Sequence, residues 1–118
     1  MLTDSSGTPV YLACGATDLR KSIDGLAALV QQGFALDPCS QAWFVFCNRD
    51  RDKLKLLRWD TNGFWLYYRR LERGRFQWPA TPEGAPRPIS RRQLQWLLDG
   101  LALEQRQAHP VVTARTVI

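Results

Sequence analysis

The spacing of hydrophobic positions changes along the chain, and each change predicts a different element. Residues 10–15, VYLACG, form a short apolar run with β-branched and aromatic residues that is closed by glycine, which is typical of a strand. Beyond it, hydrophobic positions recur every three or four residues, the period of a helix with one buried stripe: Leu19, Ile23, Leu26, Val30 and Phe34. Thr17 is the predicted N-cap of this helix and Gly33 its predicted end.

Four shorter runs in the middle of the chain predict further strands: residues 42–48, 53–60, 63–72 and 75–79. They are rich in aromatic and β-branched residues and are separated by polar turns. The Asn62-Gly63 pair between the second and third runs is a strong hairpin signal. Pro79 ends the fourth run, because proline cannot donate a ladder hydrogen bond. Together with the first strand, these runs predict an antiparallel meander of about four or five strands.

The C-terminal part begins with a proline-rich stretch, residues 79–89, which predicts an extended and exposed linker. Ser90 and Gln93 then have the spacing of a capping box and are followed by leucines at helical spacing. A second helix is therefore predicted over residues 90–104.

These elements indicate an α+β fold with both helices packed on one face of the sheet. The length of 118 residues suits one domain, so residues 1–118 are expected to form a single unit. Within it, residues 1–8 are expected to be a flexible N-terminus and residues 110–118 a frayed tail.

Neither export nor membrane insertion is expected. The first residues lack the basic start and the long apolar run of a secretory signal, and no apolar run approaches the roughly 20 residues that cross a bilayer. The three cysteines, Cys14, Cys39 and Cys47, form no CxxC pair, and we expect them to be reduced and mostly buried. The expected location is the cytoplasm, with no membrane partner.

The basic residues are concentrated in one segment. The chain has 16 Lys and Arg against 11 Asp and Glu, a net charge of +5. Between Arg49 and Arg75 lie nine basic residues and four acidic ones, so this segment accounts for the whole excess. Such patterning indicates a class of partner, a polyanion or an acidic surface, without identifying it.

Alternation along the strands predicts that one face of the meander presents Lys and Arg beside Trp and Tyr. Cationic groups neutralise phosphates, and exposed rings stack on unpaired bases, so this chemistry suits nucleic acid. The candidate binding residues are Arg49, Arg51, Lys53, Lys55, Arg58, Arg69, Arg70, Arg73, Arg75, Trp65 and Tyr67. The same residues also have a structural interpretation, because aromatic residues form strands well and edge lysines discourage aggregation.

The four arginines between residues 69 and 75 surround a predicted tight turn at Gly74, with only Glu72 to offset them. A turn does not require so many like charges, and their repulsion is relieved by an anionic partner. Nucleic acid and an acidic protein surface both satisfy that requirement.

Enzymatic motifs are not evident. The single histidine, His109, lies in the predicted tail, and there is no phosphate-binding glycine pattern. Asp50, Asp52 and Asp60 fall in predicted turns beside basic residues, where turn formation and charge pairing explain them. We therefore expect no catalytic residue, no metal site and no cofactor, and a metal-dependent nuclease is a minor alternative.

Three stretches together resemble one protein family: residues 12–30, 44–79 and 93–101. They are similar to the transposon accessory protein encoded by the second open reading frame of insertion-sequence-sixty-six elements, also called TnpB in that family. The resemblance runs from about Val10 to His109. It implies a small bacterial protein that acts with a separate transposase, and it supplies no catalytic residues.

The sequence thus favours a non-enzymatic transposition factor that binds DNA, expected at the transposon ends, through the basic and aromatic segment. The alternative is a protein adaptor that docks on the transposase of the same element through the leucine stripe of the second helix and Trp96.

Overall fold

The computed structural model describes residues 7–105, which form a five-stranded sheet and two helices. The strands are β1 Val10–Ala13, β2 Trp43–Cys47, β3 Lys53–Asp60, β4 Gly63–Arg70 and β5 Pro86–Ile89. The helices are α1 Ile23–Ala28, which continues into a π-helical turn Leu29–Gly33, and α2 Arg91–Leu98. The predicted α+β class is confirmed. The frayed tail and most of the predicted flexible N-terminus lie outside the described residues, and no helix within residues 7–105 has the length and apolarity to cross a bilayer.

The strand order is β4-β3-β2-β1-β5, so the sheet is mixed and not a pure meander. β1 and β2 are parallel, whereas the other neighbouring pairs are antiparallel. The physical reason is that α1 connects the end of β1 to the beginning of β2, and such a crossover makes neighbouring strands parallel. The β3–β4 hairpin forms as predicted, with Asp60 paired to Gly63 across it.

The two helices cover opposite faces of the sheet, so the prediction that they share a face is wrong. Leu26 and Val30 of the α1 segment pack with Phe44 and Phe46 of β2. Buried leucines of α2 pack on the other face with the alternate residues of β1 and β2. All five residues of β2 are buried. An unbroken apolar strand of this kind needs cover on both faces, and one helix on each face provides it.

Residues 75–79 do not form the predicted fourth strand of the meander. Phe76 and Trp78 are buried in the α2-side core, but the segment crosses the end of the sheet on its way from β4 at one edge to β5 at the other. The Phe76 backbone N–H donates to the Arg51 carbonyl at 2.7 Å, and the Trp78 indole Nε1 donates to the Ala13 carbonyl at 2.8 Å. Apolar residues two positions apart can be core residues of an irregular crossing segment or form one face of a strand. The local sequence pattern is the same in both structures.

The proline-rich linker is partly a strand, because residues 86–89 pair antiparallel with β1. Pro86 and Pro88 lie in β5, the last strand of the described sheet. Proline is tolerated there because an edge strand has one side on which no donor is needed. The prediction of an exposed linker across residues 79–89 is therefore wrong for its last four residues.

Both helices are shorter than predicted. α1 begins at Ile23 with Ser22 at the N-cap position, so the prediction that Thr17 caps the helix is wrong. The Thr17 backbone N–H instead donates to the Cys47 carbonyl at 2.8 Å, at the end of β2. α2 has the predicted capping box, with Ser90 Oγ accepting from the Gln93 N–H at 3.0 Å and Gln93 Oε1 accepting from the Ser90 N–H at 2.9 Å. It ends at Leu98 and not at residue 104, since Gly100 follows with a φ of +84°.

The cysteines agree in part with the prediction of burial. Cys14 and Cys47 are buried and Cys39 is exposed, all three as free thiols. Burial raises the pKa of Cys47 to about 12, which keeps that thiol protonated.

Candidate nucleic-acid interface

Three chain segments meet at one end of the sheet, which we call the basic end: residues 14–22 after β1, residues 48–52 between β2 and β3, and residues 71–76 after β4. Parallel β1 and β2 both finish there, and antiparallel β3 and β4 respectively begin and finish there. Main-chain hydrogen bonds join the segments, since the Leu71 N–H donates to the Asp52 carbonyl at 2.7 Å and Phe76 bonds to Arg51. Residues far apart in sequence thereby form one surface.

The turn between β2 and β3 is organised by Asn48. Its Oδ1 accepts from the backbone N–H groups of Asp52 at 3.1 Å and Lys53 at 3.0 Å. Its Nδ2 donates to Asp52 Oδ1 at 2.8 Å, and this hydrogen bond holds the pKa of Asp52 below its usual value. The amide thus fixes the turn internally, while Arg49 and Arg51 remain exposed.

Arg51 has left-handed backbone, with a φ of +61°. This conformation costs a residue with a Cβ roughly 1–2 kcal/mol, and glycine is the residue that normally adopts it. An arginine at a strained position of a fixed, exposed turn is consistent with selection for its side chain over stability.

We expect Arg51→Gly to be more stable than Arg51→Ala by roughly 0.5–1 kcal/mol, because relief of the backbone strain exceeds the extra entropy of glycine in the unfolded chain. Chemical denaturation followed by circular dichroism measures this difference. Both variants lose the same charge, so any loss of DNA affinity should be equal in the two. Equal stability of the variants would contradict the strain argument.

Ion pairs within the described residues are confined to the basic end. Arg20 Nη2 lies 2.8 Å from Asp18 Oδ2, and Arg70 Nη2 lies 3.1 Å from Glu72 Oε2. Lys53 Nζ lies 3.4 Å from the carboxylate of Asp52. The Arg20 hydrogen bonds also lower the pKa of Asp18. These pairs are exposed or partly exposed and add little stability, but they neutralise three of the local cations.

Five exposed arginines at this end have no ion pair or side-chain hydrogen bond to any residue within 7–105: Arg49, Arg51, Arg69, Arg73 and Arg75. Nearby, the carboxylates of Asp50 and Glu83 likewise have no ion pair with a described residue. The end of the sheet therefore carries an uncompensated positive charge. Gly74, with a φ of +77°, makes the turn between the last two of these arginines.

The predicted binding residues that lie on β3 and β4 divide between the two faces of the sheet. The expectation of one basic and aromatic face is therefore wrong. The strand register puts Lys53, Lys55 and Arg70 on the α1 side, and it puts Arg58, Trp65, Tyr67 and Arg69 on the α2 side. The division follows from burial, since each face contributes apolar residues to a separate core and neither is left entirely to solvent.

Lys55 has a structural contact that the sequence did not indicate. Its Nζ donates to the carbonyls of Leu19 at 2.8 Å and Lys21 at 3.0 Å, in the segment between β1 and α1. Two of its three donors are thus engaged in holding that segment against β3.

On the α2 side, Arg58 lies beside the buried Trp43, with its guanidinium carbon 6.0 Å from the ring centroid. Trp65 and Tyr67 stack on each other, with centroids 6.2 Å apart and planes 11° from parallel. Tyr67 also packs against the core, whereas the Trp65 side chain is 52% exposed. Of the two predicted stacking rings, Trp65 is the accessible one.

Two residues of the site were missed by the sequence prediction. Asn48 was missed because an amide in a polar turn has no distinctive local signal. Tyr68 was missed because the predicted stacking rings of β4 are Trp65 and Tyr67. Tyr68 points to the other face of the strand, is 55% exposed and lines a groove at the basic end.

Acidic and sulfur groups do not converge into a metal site within residues 7–105, where no group of three or more His, Cys, Asp or Glu is close enough to hold an ion. His109 lies outside the described residues.

Comparison with known proteins gives one family and two curated relatives. The sequence model of the IS66 Orf2-like proteins matches residues 8–108. The chain is 40% identical over 101 residues to the uncharacterized protein y4hO of Sinorhizobium fredii. The aligned region covers 86% of this chain and 87% of that protein. It is 32% identical over 111 residues to y4jC of the same organism, with 94% of each chain covered. No solved structure matches significantly.

Proposed function

Because the chain belongs to the IS66 Orf2-like family, we propose that it is an accessory factor of transposition that binds DNA at the ends of its element through the basic end of the sheet. The family supports the accessory role. DNA binding is supported by the arginines of the basic end that have no partner within residues 7–105. On this proposal the protein acts in the bacterial cytoplasm alongside the transposase of the same element.

The uncompensated arginines are the observation that carries the proposal. Guanidinium groups bind phosphate oxygens in bidentate geometry and keep their charge at any physiological pH. The arginines come from three parts of the chain: the turn after β2, the end of β4 and the segment beyond it. Main-chain hydrogen bonds from Leu71 to Asp52 and from Phe76 to Arg51 hold these parts together. A cluster of cations whose backbone positions are held together in this way suits a polyanion, because the chain itself needs little ordering on binding.

Contacts of this type position a protein on DNA without reading its sequence. Sequence preference at the transposon ends is then supplied by the transposase, with this protein adding phosphate contacts to the complex. The partners of the proposal are therefore DNA and the transposase together.

A titration of the purified protein with labelled duplex DNA at two salt concentrations tests the proposal. Affinity is expected to fall steeply as salt rises, because each phosphate contact releases counterions. Absence of binding at low salt would overturn the DNA-binding role.

The alternative is an adaptor that binds the transposase without touching DNA. The docking surface predicted on α2 is largely used internally, since Leu94 and Leu97 are buried. What favours an adaptor is β4, an edge strand of the described sheet that carries the exposed Trp65 and Tyr68 on its two faces. Such an edge can accept a strand from a partner protein. An adaptor should bind the transposase with little affinity for naked DNA.

We expect no DNA strand cleavage by the isolated protein in the presence of Mg²⁺ or Mn²⁺, because the carboxylates within residues 7–105 do not come together in a group that could hold a metal ion. A supercoiled-plasmid nicking assay measures this. Cleavage that disappears in Asp60→Ala or Glu72→Ala would show that the protein is a nuclease.

A further inference from the structure

A groove opens on the α1 side of the basic end, between the segment after β1, the β2–β3 turn and the surfaces of β3 and β4. It has a volume of about 840 Å³, and its apolar wall includes Leu19, Leu66 and Tyr68. Its charged lining has four cations, Arg20, Arg49, Lys53 and Lys55, against two carboxylates, Asp18 and Asp50. This volume falls within the range of small-molecule sites, about 300–1,000 Å³. We call it the α1-side groove.

The inner wall of the groove is apolar and supported by the core. Leu19 and Leu66 are partly buried and pack against the α1-side cluster. Tyr68 stands beside them with 55% of its surface exposed, and its ring has no aromatic partner among the described residues. The Lys55 ammonium lies 5.9 Å from the centroid of the Tyr68 ring. Because Lys55 is itself held by two carbonyls, a positive charge with a fixed position lies near the ring.

Cationic groups lie along the rim. Arg20 and Lys53 are partly neutralised by Asp18 and Asp52, whereas neither Arg49 nor Asp50 has an ion pair with a described residue. The groove thus holds an accessible ring and a guanidinium without an ion pair, and its cations outnumber its carboxylates. Together they offer a ligand one flat aromatic surface and one anion contact. A nucleotide has this combination, a base that stacks and a phosphate a few ångströms away.

We infer that the α1-side groove binds an unpaired nucleotide of single-stranded DNA, with the base stacked on Tyr68 and its phosphate on Arg49. This inference rests on the proposed DNA-binding function and adds a preference for single-stranded over duplex DNA at this groove. A base within a duplex is stacked on both faces and cannot enter a groove, so the site selects frayed, displaced or extruded nucleotides. The other arginines of the basic end contact phosphates of either form.

The test compares two equally exposed rings on one strand. Tyr68→Ala should weaken binding of a labelled oligothymidylate by about fivefold to hundredfold, the range for loss of one base stack, while duplex affinity and the salt slope change little. Trp65→Ala tests the competing site, because Trp65 is a predicted stacking ring of the same strand and is similarly exposed but faces the α2 side; the groove requires the larger loss in Tyr68→Ala. Tyr68→Leu keeps an apolar group on the groove and guards against loss of folding in the alanine variant; it should show the same selective loss.

A second measurement locates the base directly. Oligonucleotides that contain 5-iodouracil cross-link on irradiation to rings that contact the base, and mass spectrometry should find the cross-link on the Tyr68 peptide. If the cross-link and the loss of affinity instead follow Trp65, the groove is not the site and the α2 side binds the strand. If neither ring matters while duplex binding still depends on the arginines, the inference fails and the proposed function stands. Absence of binding to both oligonucleotide and duplex would overturn both.

Discussion

Replacing both Arg73 and Arg75 with glutamine is expected to lower duplex DNA affinity and to reduce the slope of log affinity against log salt by up to about two, one for each lost phosphate contact. These side chains are exposed, flank Gly74 and form no ion pair with a described residue. Glutamine keeps a polar side chain with N–H donors while removing the charge, although it is shorter than arginine. Folding should change by no more than about 0.5 kcal/mol, because exposed substitutions away from special contacts are usually tolerated.

The control for this variant is Arg92→Gln, which removes an exposed cation from α2. General loss of net charge affects this control as well, whereas loss of a local phosphate contact does not. If the Arg73 and Arg75 variant binds DNA as the parent does but fails to retain the transposase in a pull-down, the cluster is a protein-docking site and the adaptor alternative is correct.

Leu97→Asp is expected to unfold the protein or to remove it from the soluble fraction. Leu97 is fully buried in the α2-side core, and a carboxylate there would lie without a partner among apolar groups. Such substitutions cost more than about 4 kcal/mol, a large part of the 5–15 kcal/mol by which domains are stable. Thermal denaturation followed by circular dichroism measures the effect.

Leu101→Asp is the matched control, three positions past the end of α2 with its side chain 43% exposed. It should change stability by no more than about 0.5 kcal/mol. If the Leu97→Asp variant has the same melting temperature as the parent protein, α2 is not part of the core. Its leucines would then be free to bind a partner.

Local elements were predictable wherever a short-range rule determined them. The Ser90 and Gln93 capping box and the β3–β4 hairpin depend on residues within a few positions of one another. Alternation along β3 and β4 also holds, because it is a geometric property of an extended chain, although the basic and aromatic residues do not share one face. Lys55 opposite Tyr68 and Leu56 opposite Tyr67 agree with it.

The sequence did not predict how these elements pair and pack against one another. The local sequence pattern around Phe76 and Trp78 is the same for a crossing segment with two core residues as for a strand. It also does not show that Pro86–Ile89 pairs with β1, because that pairing joins positions more than 70 residues apart. The error about the helix faces had the same origin, since the side on which a helix packs depends on the direction of the crossover.

For the candidate site, the sequence by itself determined that the positive charge lies between Arg49 and Arg75, because charge is a property of composition and position alone. Only the tertiary structure decided which of those charges are available. Arg70 and Lys53 have carboxylate partners and Lys55 is held by carbonyls, whereas Arg49, Arg51, Arg69, Arg73 and Arg75 meet at one end of the sheet without them. For Lys55 the reason is distance along the chain, because its carbonyl partners lie 36 and 34 residues away and only the packing of that segment on β3 brings them together. For Arg70 and Lys53 the partners are one or two positions away, and the backbone conformation decides whether the side chains meet.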